Sequence, residues 1–230
     1  MSSNNNIFFV GGFLYRIIDI ETENTGFDIL KDNKRIISVQ IGDATKQDLY
    51  WADSKDPQWT LTNAKKEIAS LLSQRYIFAG YNIKRFDIPL LAQFLGIEIP
   101  DSNMLDLSQD RRIIELCKRN HSWTMDSVCM NYGLGTQPHK QKMNKRAEKY
   151  GSRQDVIEKT KVIAALNMKN KGGTFQYAYD EALRKIAGGM AIYDAYLEFV
   201  ESGGQKGTFF YEYAIGDVIS EYNLLKALGY

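Results

Sequence analysis

Cysteine and histidine are scarce in this chain of 230 residues, which contains two of each. Cys117 and Cys129 lie twelve residues apart, without a C-x-x-C pair or paired histidines near them, so a zinc-finger site is excluded. We expect both to be reduced core thiols, because free cysteine is among the most buried residue types. His121 and His139 are expected to be surface or core side chains without a catalytic role.

Long apolar runs are also missing, and so is a recognisable targeting signal. Residues 1–6 are polar and uncharged, whereas a secretory signal begins with a basic segment. The most apolar early stretch, residues 7–20, contains two glycines and Arg16 and is too short to span a bilayer. We therefore expect an intracellular, cytoplasmic protein with no membrane partner.

The chain has almost no net charge, but its charges are unevenly placed. Its 29 basic and 28 acidic residues give +1, and 44% of its residues are hydrophobic, as in an ordinary soluble globular protein. Residues 140–171 contain ten basic and three acidic side chains, whereas residues 172–230 contain four and eight. The basic segment is either a solvated face or an arm that contacts phosphates, since clustered cations gain affinity for a polyanion by releasing its counterions. In the second case the contacts are Lys140, Lys142 and Lys145.

Apolar runs and helical periodicity predict the order of the strands and helices. Strands are expected in the β-branched, apolar runs at residues 14–20, 35–41, 48–52, 76–81 and 104–107. Helices are expected over residues 62–72, 88–95, 111–118, 125–132, 154–168, 175–200 and 209–228, with a break at Gly188-Gly189 and a loop over 133–138. This order is typical of an α/β protein whose C-terminal half is helical.

Two acidic side chains lie at the end of the first predicted strand. Asp19 and Glu21 are two residues apart, so alternation along a strand places both on one face. Two such carboxylates repel each other unless a cation neutralises them, and Mg²⁺ or Mn²⁺ prefers oxygen ligands. The pattern predicts either a metal site or a solvated strand end.

Two further acidic motifs follow the fourth strand and lie on the last helix. In Asn82-Ile83-Lys84-Arg85-Phe86-Asp87, the final acid is either a ligand at the same site or a first-turn residue favoured by the helix dipole. Tyr213 and Asp217 are four residues apart and so share one helix face. Asp106, at the end of the last strand, is expected to accept hydrogen bonds or cap a helix rather than to bind a metal.

Together, the segments IIDIET, YNIKRFD and YAIGD resemble the three exonuclease motifs of the DEDD 3′–5′ exonucleases. The resemblance is to the Tyr-containing branch, which includes proofreading domains of family B DNA polymerases and RNase D, since Glu212 stands where the other branch has histidine. It is clearest over residues 14–107 and 211–228. It implies a ribonuclease-H-like fold in a single domain of residues 1–230, with three antiparallel strands and then parallel strands in a mixed sheet flanked by helices. Residues 139–205 match no motif of the family and are a possible basic, helical insertion.

The resemblance also implies a mechanism with two divalent cations, Mg²⁺ or Mn²⁺. The implied ligands, which are also catalytic residues, are Asp19, Glu21, Asp87 and Asp217. Tyr213, whose phenol is a poor base at neutral pH, is implied to orient the attacking water. The implied contacts to the terminal nucleotide are Ile20, Thr22, Asn82 and Phe86. The expected reaction releases nucleoside 5′-monophosphates from the 3′ end of single-stranded DNA.

The residues leave other functions open. A 3′–5′ exoribonuclease would use the same carboxylates, and a contact to the 2′-hydroxyl would distinguish it. A non-catalytic nucleic-acid-binding module on the same fold is the less expected case, because all four acids and the tyrosine are present. A ribonuclease-H-like endonuclease shares the fold, which does not by itself determine the activity.

Overall fold

Five strands form one mixed sheet in the part of the chain that this computed structural model describes, residues 14–23, 35–171 and 174–230. In chain order they are β1 (Tyr15–Thr22), β2 (Ile36–Gly42), β3 (Gln47–Trp51), β4 (Ile77–Gly80) and β5 (Met104–Asp106). The order across the sheet is β3-β2-β1-β4-β5, where β2 is antiparallel to both neighbours and β4 is parallel to both of its own. The predicted α/β class and mixed sheet are confirmed, and each strand lies within two residues of its expected position.

The register of the parallel strands brings three strand ends to one edge of the sheet. Ile17 of β1 lies opposite Ala79 of β4, and Gly80 at the end of β4 lies opposite Asp106 at the end of β5. Because parallel strands point the same way, the residues that follow them meet at the carboxyl edge. Open α/β sheets bind ligands at this edge, so the position of Asp19 near the end of β1 is favourable for a site.

Gly80 permits a close approach between β4 and its neighbours. A Cβ at this position would collide with Cγ2 of Ile83 and would lie 3.0 Å from the carbonyl oxygen of Ile18 and 3.1 Å from Oε2 of Glu221. Because Gly80 has no side chain, the carboxylate of Glu221 reaches the end of β4.

Eight α-helices lie in the described residues: α1 (Leu61–Ser73), α2 (Asp87–Leu95), α3 (Arg111–Asn120), α4 (Met125–Asn131), α5 (Pro138–Gly151), α6 (Gln154–Lys171), α7 (Phe175–Glu201) and α8 (Phe209–Ala227). All of them except α5 were predicted. Within the described residues, every helix is too short or too polar for a transmembrane segment.

Described residues 14–20, 38–136 and 214–230 form one compact unit. Its core joins β1 and β4 to α3, α4 and α8 through apolar side chains that include Ile17, Ala79, Ile113, Leu116, Val128, Val218 and Leu225. Cys117 lies in this core and Cys129 is buried as well, and both are free thiols, as predicted.

The second compact unit consists of the described residues among 21–37 and 137–213, and it contains α5, which the sequence patterns did not predict. Pro138 is in the first turn of α5, where a proline is well tolerated. The helix buries Met143, Ala147 and Tyr150 at spacings of four and three residues, against Ala187 of α7. The apolar stripe is only three residues long and is interrupted by basic side chains, which is why its periodicity was weak.

Helix α7 continues through Gly188-Gly189, so the predicted break there is wrong. Each glycine in a helix interior costs about 1 kcal/mol relative to alanine. The turns on either side bury Ile186, Ala187 and Ala191. The packing of these side chains outweighs the cost of the two glycines.

We expect Gly188→Ala to raise the free energy of unfolding by about 0.5–1 kcal/mol, because alanine restricts the unfolded chain and favours the helix. A Cβ at Gly188 meets no heavy atom within 4 Å, so the substitution introduces no clash. Urea denaturation measures the change. Gly203→Ala is the matched control: it also has open space, but its φ of +74° is left-handed, and an alanine there is expected to lower stability by about 1 kcal/mol. A loss of stability in Gly188→Ala would contradict the explanation given for α7.

Candidate metal centre

Three carboxylates converge near the carboxyl end of β1. Asp19 and Glu21 lie on either side of Ile20 and are half-buried, whereas Asp217 of α8 is only 4% exposed. One oxygen of each carboxylate lies within 4.8 Å of the other two. Asp19 and Asp217 are 198 residues apart in sequence, and the fold brings them together. The structure thus groups three of the four predicted ligands, while their binding of a metal stays a prediction.

The donor atoms of this group suit a hard divalent cation. All of them are carboxylate oxygens, which Mg²⁺ and Mn²⁺ prefer, and the group contains neither the cysteine nor the histidine typical of zinc sites. Three negative charges at this separation repel one another in the absence of a cation. The residues therefore fit the cations that the resemblance implies, with Asp19, Glu21 and Asp217 as the oxygen ligands.

Asp87, the fourth predicted ligand, is the first residue of α2 and is held against β1. Its side chain is buried, and its Oδ1 accepts a hydrogen bond from the backbone N–H of Ile20 at 3.1 Å. Burial raises the pKa of Asp87 to about 7, and the negative charges of Asp106 and Asp217 contribute to the increase. Asp87 is not a member of the three-carboxylate group among the described residues, so its contact with a metal stays a prediction.

Asp106 fixes the turn that follows β4. Its carboxylate accepts four hydrogen bonds: from the backbone N–H groups of Asn82 (2.8 Å), Lys84 (3.1 Å) and Ser108 (3.0 Å), and from the Ser108 hydroxyl (2.7 Å). It also caps the short 3₁₀ helix Leu107–Gln109. The predicted capping and hydrogen-bonding role of Asp106 is confirmed.

Glu221 is a buried acid that the sequence analysis did not select. It lies one turn after Asp217 on α8, and its Oε1 accepts a hydrogen bond from the backbone N–H of Tyr81 at 3.0 Å. This bond attaches α8 to the end of β4 and so supports the position of Asp217. The spacing Asp217-x-x-x-Glu221, with both acids on one helix face, was the available signal.

Tyr213 lies one turn before Asp217 on α8 and is packed against the start of α5. The His139 ring meets the Tyr213 ring edge-on, with centroids 5.9 Å apart, and Lys140 Nζ lies 5.3 Å from the Tyr213 ring centroid. Only 8% of Tyr213 is exposed. Sequence reasoning assigned His139 no part in the site, because its contact with Tyr213 joins residues 74 positions apart.

The predicted nucleotide contacts all lie at the carboxyl edge of β1 and β4. Ile20 is buried, and Thr22 is half-buried as the last residue of β1. Asn82 adopts a left-handed φ of 71°, which asparagine tolerates better than most residues. Phe86 is half-buried, with the Arg85 guanidinium carbon 5.7 Å from its ring centroid. Their contact with a nucleotide stays a prediction.

Several basic side chains of α5 are paired with acidic side chains of α7 and α8. Lys142 Nζ lies 2.8 Å from Glu212, and both Lys142 and Lys145 are exposed. Asp194 of α7 accepts hydrogen bonds from Arg146, Lys149 and Tyr150. The pKa of the Asp194 carboxyl is lowered to about 2, and the hydrogen bond from Tyr150 is the largest cause. Arg146 and Lys149 therefore attach α5 to α7, while the predicted phosphate contacts of Lys140, Lys142 and Lys145 stay a prediction.

No model of a known protein family matches this chain, and no curated protein sequence is significantly similar to it. A functional conclusion therefore depends on the carboxylate geometry and on the three short motifs. The two observations agree, because the acids of the first and third motifs, Asp19, Glu21 and Asp217, are the ones that the fold groups.

Proposed function

We propose that this protein is a metal-dependent 3′–5′ exonuclease with a ribonuclease-H-like fold, from the Tyr-containing branch of the DEDD exonucleases. Its proposed substrate is single-stranded DNA, which it degrades from the 3′ end to nucleoside 5′-monophosphates. The observation that carries the proposal is the grouping of Asp19, Glu21 and Asp217 within 4.8 Å. The strand order β3-β2-β1-β4-β5, with its antiparallel and parallel halves, also supports it.

The role of the carboxylates follows from their charge. A phosphodiester is itself anionic, so an acidic group of this kind repels it unless cations intervene. Asp19, Glu21 and Asp217 would hold the cations as oxygen ligands, and Asp87 beside Ile20 would contribute a further carboxylate, as the resemblance implies. When bound, divalent cations supply a water of lowered pKa and stabilise charge on the phosphate and leaving oxygen.

The other side chains of the site orient the attacking water or position the neighbouring backbone. The Tyr213 phenol, held by the His139 ring, is proposed to orient the attacking water without acting as its base. Asp106 holds the Asn82–Lys84 backbone, and Glu221 holds the end of β4. Asn82 and Phe86 would then face the terminal nucleotide from a turn with a defined backbone, where stacking on an aromatic ring tolerates any base.

A product assay tests the proposal. We expect Mg²⁺ or Mn²⁺ to support release of nucleoside 5′-monophosphates from single-stranded DNA with a free 3′ end, and chelation to stop it. Parallel reactions use 3′-blocked DNA, free RNA and blocked RNA. Release from RNA alone would make the protein an exoribonuclease, and internal cuts in blocked strands would indicate an endonuclease. Absence of cleavage in a protein that binds the metal would indicate a non-catalytic binding module.

Binding of Mg²⁺ or Mn²⁺ is expected to stabilise the folded protein, because the three carboxylates are brought together only by folding. At a concentration of about 100 times Kd, binding adds about 2.7 kcal/mol, which for a protein of this size raises Tm by roughly 5–10 °C. A thermal melt with and without the metal, in chelated buffer, measures the shift. Asp217→Asn should lose most of it. An equal shift in wild type and Asp217→Asn would place the cation elsewhere.

Tyr213→Phe is expected to lower kcat roughly 10- to 100-fold and to leave KM and metal binding nearly unchanged, because the ring stays in place while the hydroxyl that orients water is lost. Tyr211→Phe, on the same helix two residues earlier, is the matched control and should retain wild-type kcat. Steady-state hydrolysis of a short single strand measures both constants. A wild-type kcat in Tyr213→Phe would remove this tyrosine from the mechanism.

A further inference from the structure

The exposed apolar side chains of the described residues are concentrated in one stretch of the second unit's sequence. Of ten exposed large apolar side chains, five lie between residues 162 and 177: Val162, Leu166, Met168, Phe175 and Tyr177. They belong to the second half of α6 and the start of α7, and we name the described residues 159–169 and 174–179 the α6–α7 tip. Tyr177 is 70% exposed, the largest value in the set. A patch of this kind marks a binding surface more often than a single exposed leucine does.

The charge of the α6–α7 tip is of one sign. Its residues include three lysines and no aspartate or glutamate, although the 28 acidic residues of the chain would on average place about two in 17 residues, and the nearest acids along the chain are Glu158 and Asp180. Lys161 and Lys169 are exposed, and neither makes an ion pair with any residue that the structure describes. Their ammonium groups are available for an external anion, so a partner of negative charge is favoured.

The arrangement of these side chains favours a nucleic acid over an anionic membrane as the partner. Val162, Leu166 and Lys169 follow one another at steps of four and three residues, so lysine and apolar side chains share one exposed face of α6. A helix that lies on a membrane separates its basic face from its apolar face, which α6 does not do. Lysines next to exposed aromatic rings are typical of single-stranded nucleic-acid binding, where rings stack on bases and cations contact phosphates.

We propose that the α6–α7 tip is a second binding surface for single-stranded nucleic acid, where Phe175 and Tyr177 stack on bases and Lys161 and Lys169 contact phosphates. This proposal rests on the proposed function, which identifies the bound strand as the substrate. The ring of Phe175 lies 6.1 Å from that of Tyr179, which gives the tip a further aromatic side chain beside the stacking ones. Binding of the strand is therefore expected to be independent of base sequence, because every base has a face on which a ring can stack.

Binding is measured by fluorescence anisotropy with a long labelled oligothymidylate and the full chain, in chelated buffer so that no cleavage occurs. We expect Phe175→Leu with Tyr177→Ala to weaken binding by at least about 30-fold, since two stacked bases lose their contacts. Lys161→Gln with Lys169→Gln is expected to reduce the slope of log K against log salt by about 1.4, the value for two phosphate contacts on a single strand. The matched control combines Trp123→Leu with Lys118→Gln, an exposed aromatic residue and an exposed lysine in the other unit, and should bind like wild type.

Unchanged affinity and unchanged salt slope in both double variants would overturn the proposal. So would tip-dependent binding to vesicles of anionic lipid in place of DNA, or a concentration-dependent dimer that the tip variants abolish. Hydrolysis of a trinucleotide by the wild type and by the tip variants tests the proposed function separately, because it measures cleavage without the binding of a long strand. If the trinucleotide is cleaved but binding does not depend on the tip, the proposed exonuclease function stands and the proposed second surface is wrong. If binding depends on the tip but no cleavage occurs, the second surface stands and the proposed exonuclease function is wrong.

Discussion

Asp19→Asn is expected to reduce metal-dependent hydrolysis by about 10³-fold, equivalent to about 4 kcal/mol of transition-state stabilisation. Asp19 lies in the middle of the proposed site: its carboxylate is grouped with those of Glu21 and Asp217, and the next residue along β1 donates its backbone N–H to Asp87. The asparagine amide keeps the shape of the side chain but removes its negative charge. Initial rates of mononucleotide release at saturating Mg²⁺ or Mn²⁺ measure the effect.

The same variant separates loss of catalysis from loss of folding. In chelated buffer, Asp19→Asn removes one of three mutually repelling charges, so its Tm should equal or exceed that of the wild type. Asp155→Asn is the matched control, because Asp155 is exposed, pairs with Arg153 at 2.8 Å and is not a member of the described carboxylate group. It should retain full activity. Full activity in a folded Asp19→Asn variant would show that the proposed site is not where hydrolysis occurs.

Asp106→Ala is expected to lower the free energy of unfolding by about 3–5 kcal/mol, the cost of leaving several partly buried donors unsatisfied. Three of its four hydrogen bonds come from backbone N–H groups, of Asn82, Lys84 and Ser108, and alanine offers them no acceptor. For a protein of this size the corresponding drop in Tm is roughly 6–20 °C. Denaturant unfolding at neutral pH measures the loss.

An exposed cap provides the comparison for Asp106. Asp56 also caps a 3₁₀ helix, Pro57–Trp59, but its side chain accepts a single backbone hydrogen bond, from Gln58 at 2.9 Å, in an exposed position. Asp56→Ala is expected to cost only about 1 kcal/mol. Equal losses in the two variants would mean that Asp106 acts as an ordinary cap and that its bonds to the turn after β4 contribute little.

Hydrolysis should also fall in Asp106→Ala at temperatures where the variant remains folded. The turn that Asp106 holds leads directly into Phe86 and Asp87, and Asp87 contacts β1 through Ile20. Displacement of this turn therefore moves a carboxylate next to the proposed site, and small displacements of positioning groups cost up to about 10²-fold in rate. Unchanged kcat in a destabilised Asp106→Ala protein would limit Asp106 to a stabilising role.

Local patterns in the sequence determined the secondary structure and the candidate residues. The five strands follow from short β-branched apolar runs, and seven of the eight described helices follow from apolar stripes and capping residues. The capping role of Asp106 was predictable because an acid at a strand end next to Ser108 has local backbone donors. Each of these features depends on residues that are near one another in the chain.

Tertiary packing decided the features that depend on distant residues. It placed Asp217 beside Asp19 and Glu21, His139 against Tyr213, and Glu221 at the backbone of Tyr81. It also kept α7 helical through Gly188-Gly189, because burial of the neighbouring side chains outweighs a local propensity of about 1 kcal/mol per glycine. The sequence thus determined which acids can form a site, and the packing of α8 against β1 and β4 decided which of them meet, since local periodicity carries no information about contacts between residues nearly 200 positions apart.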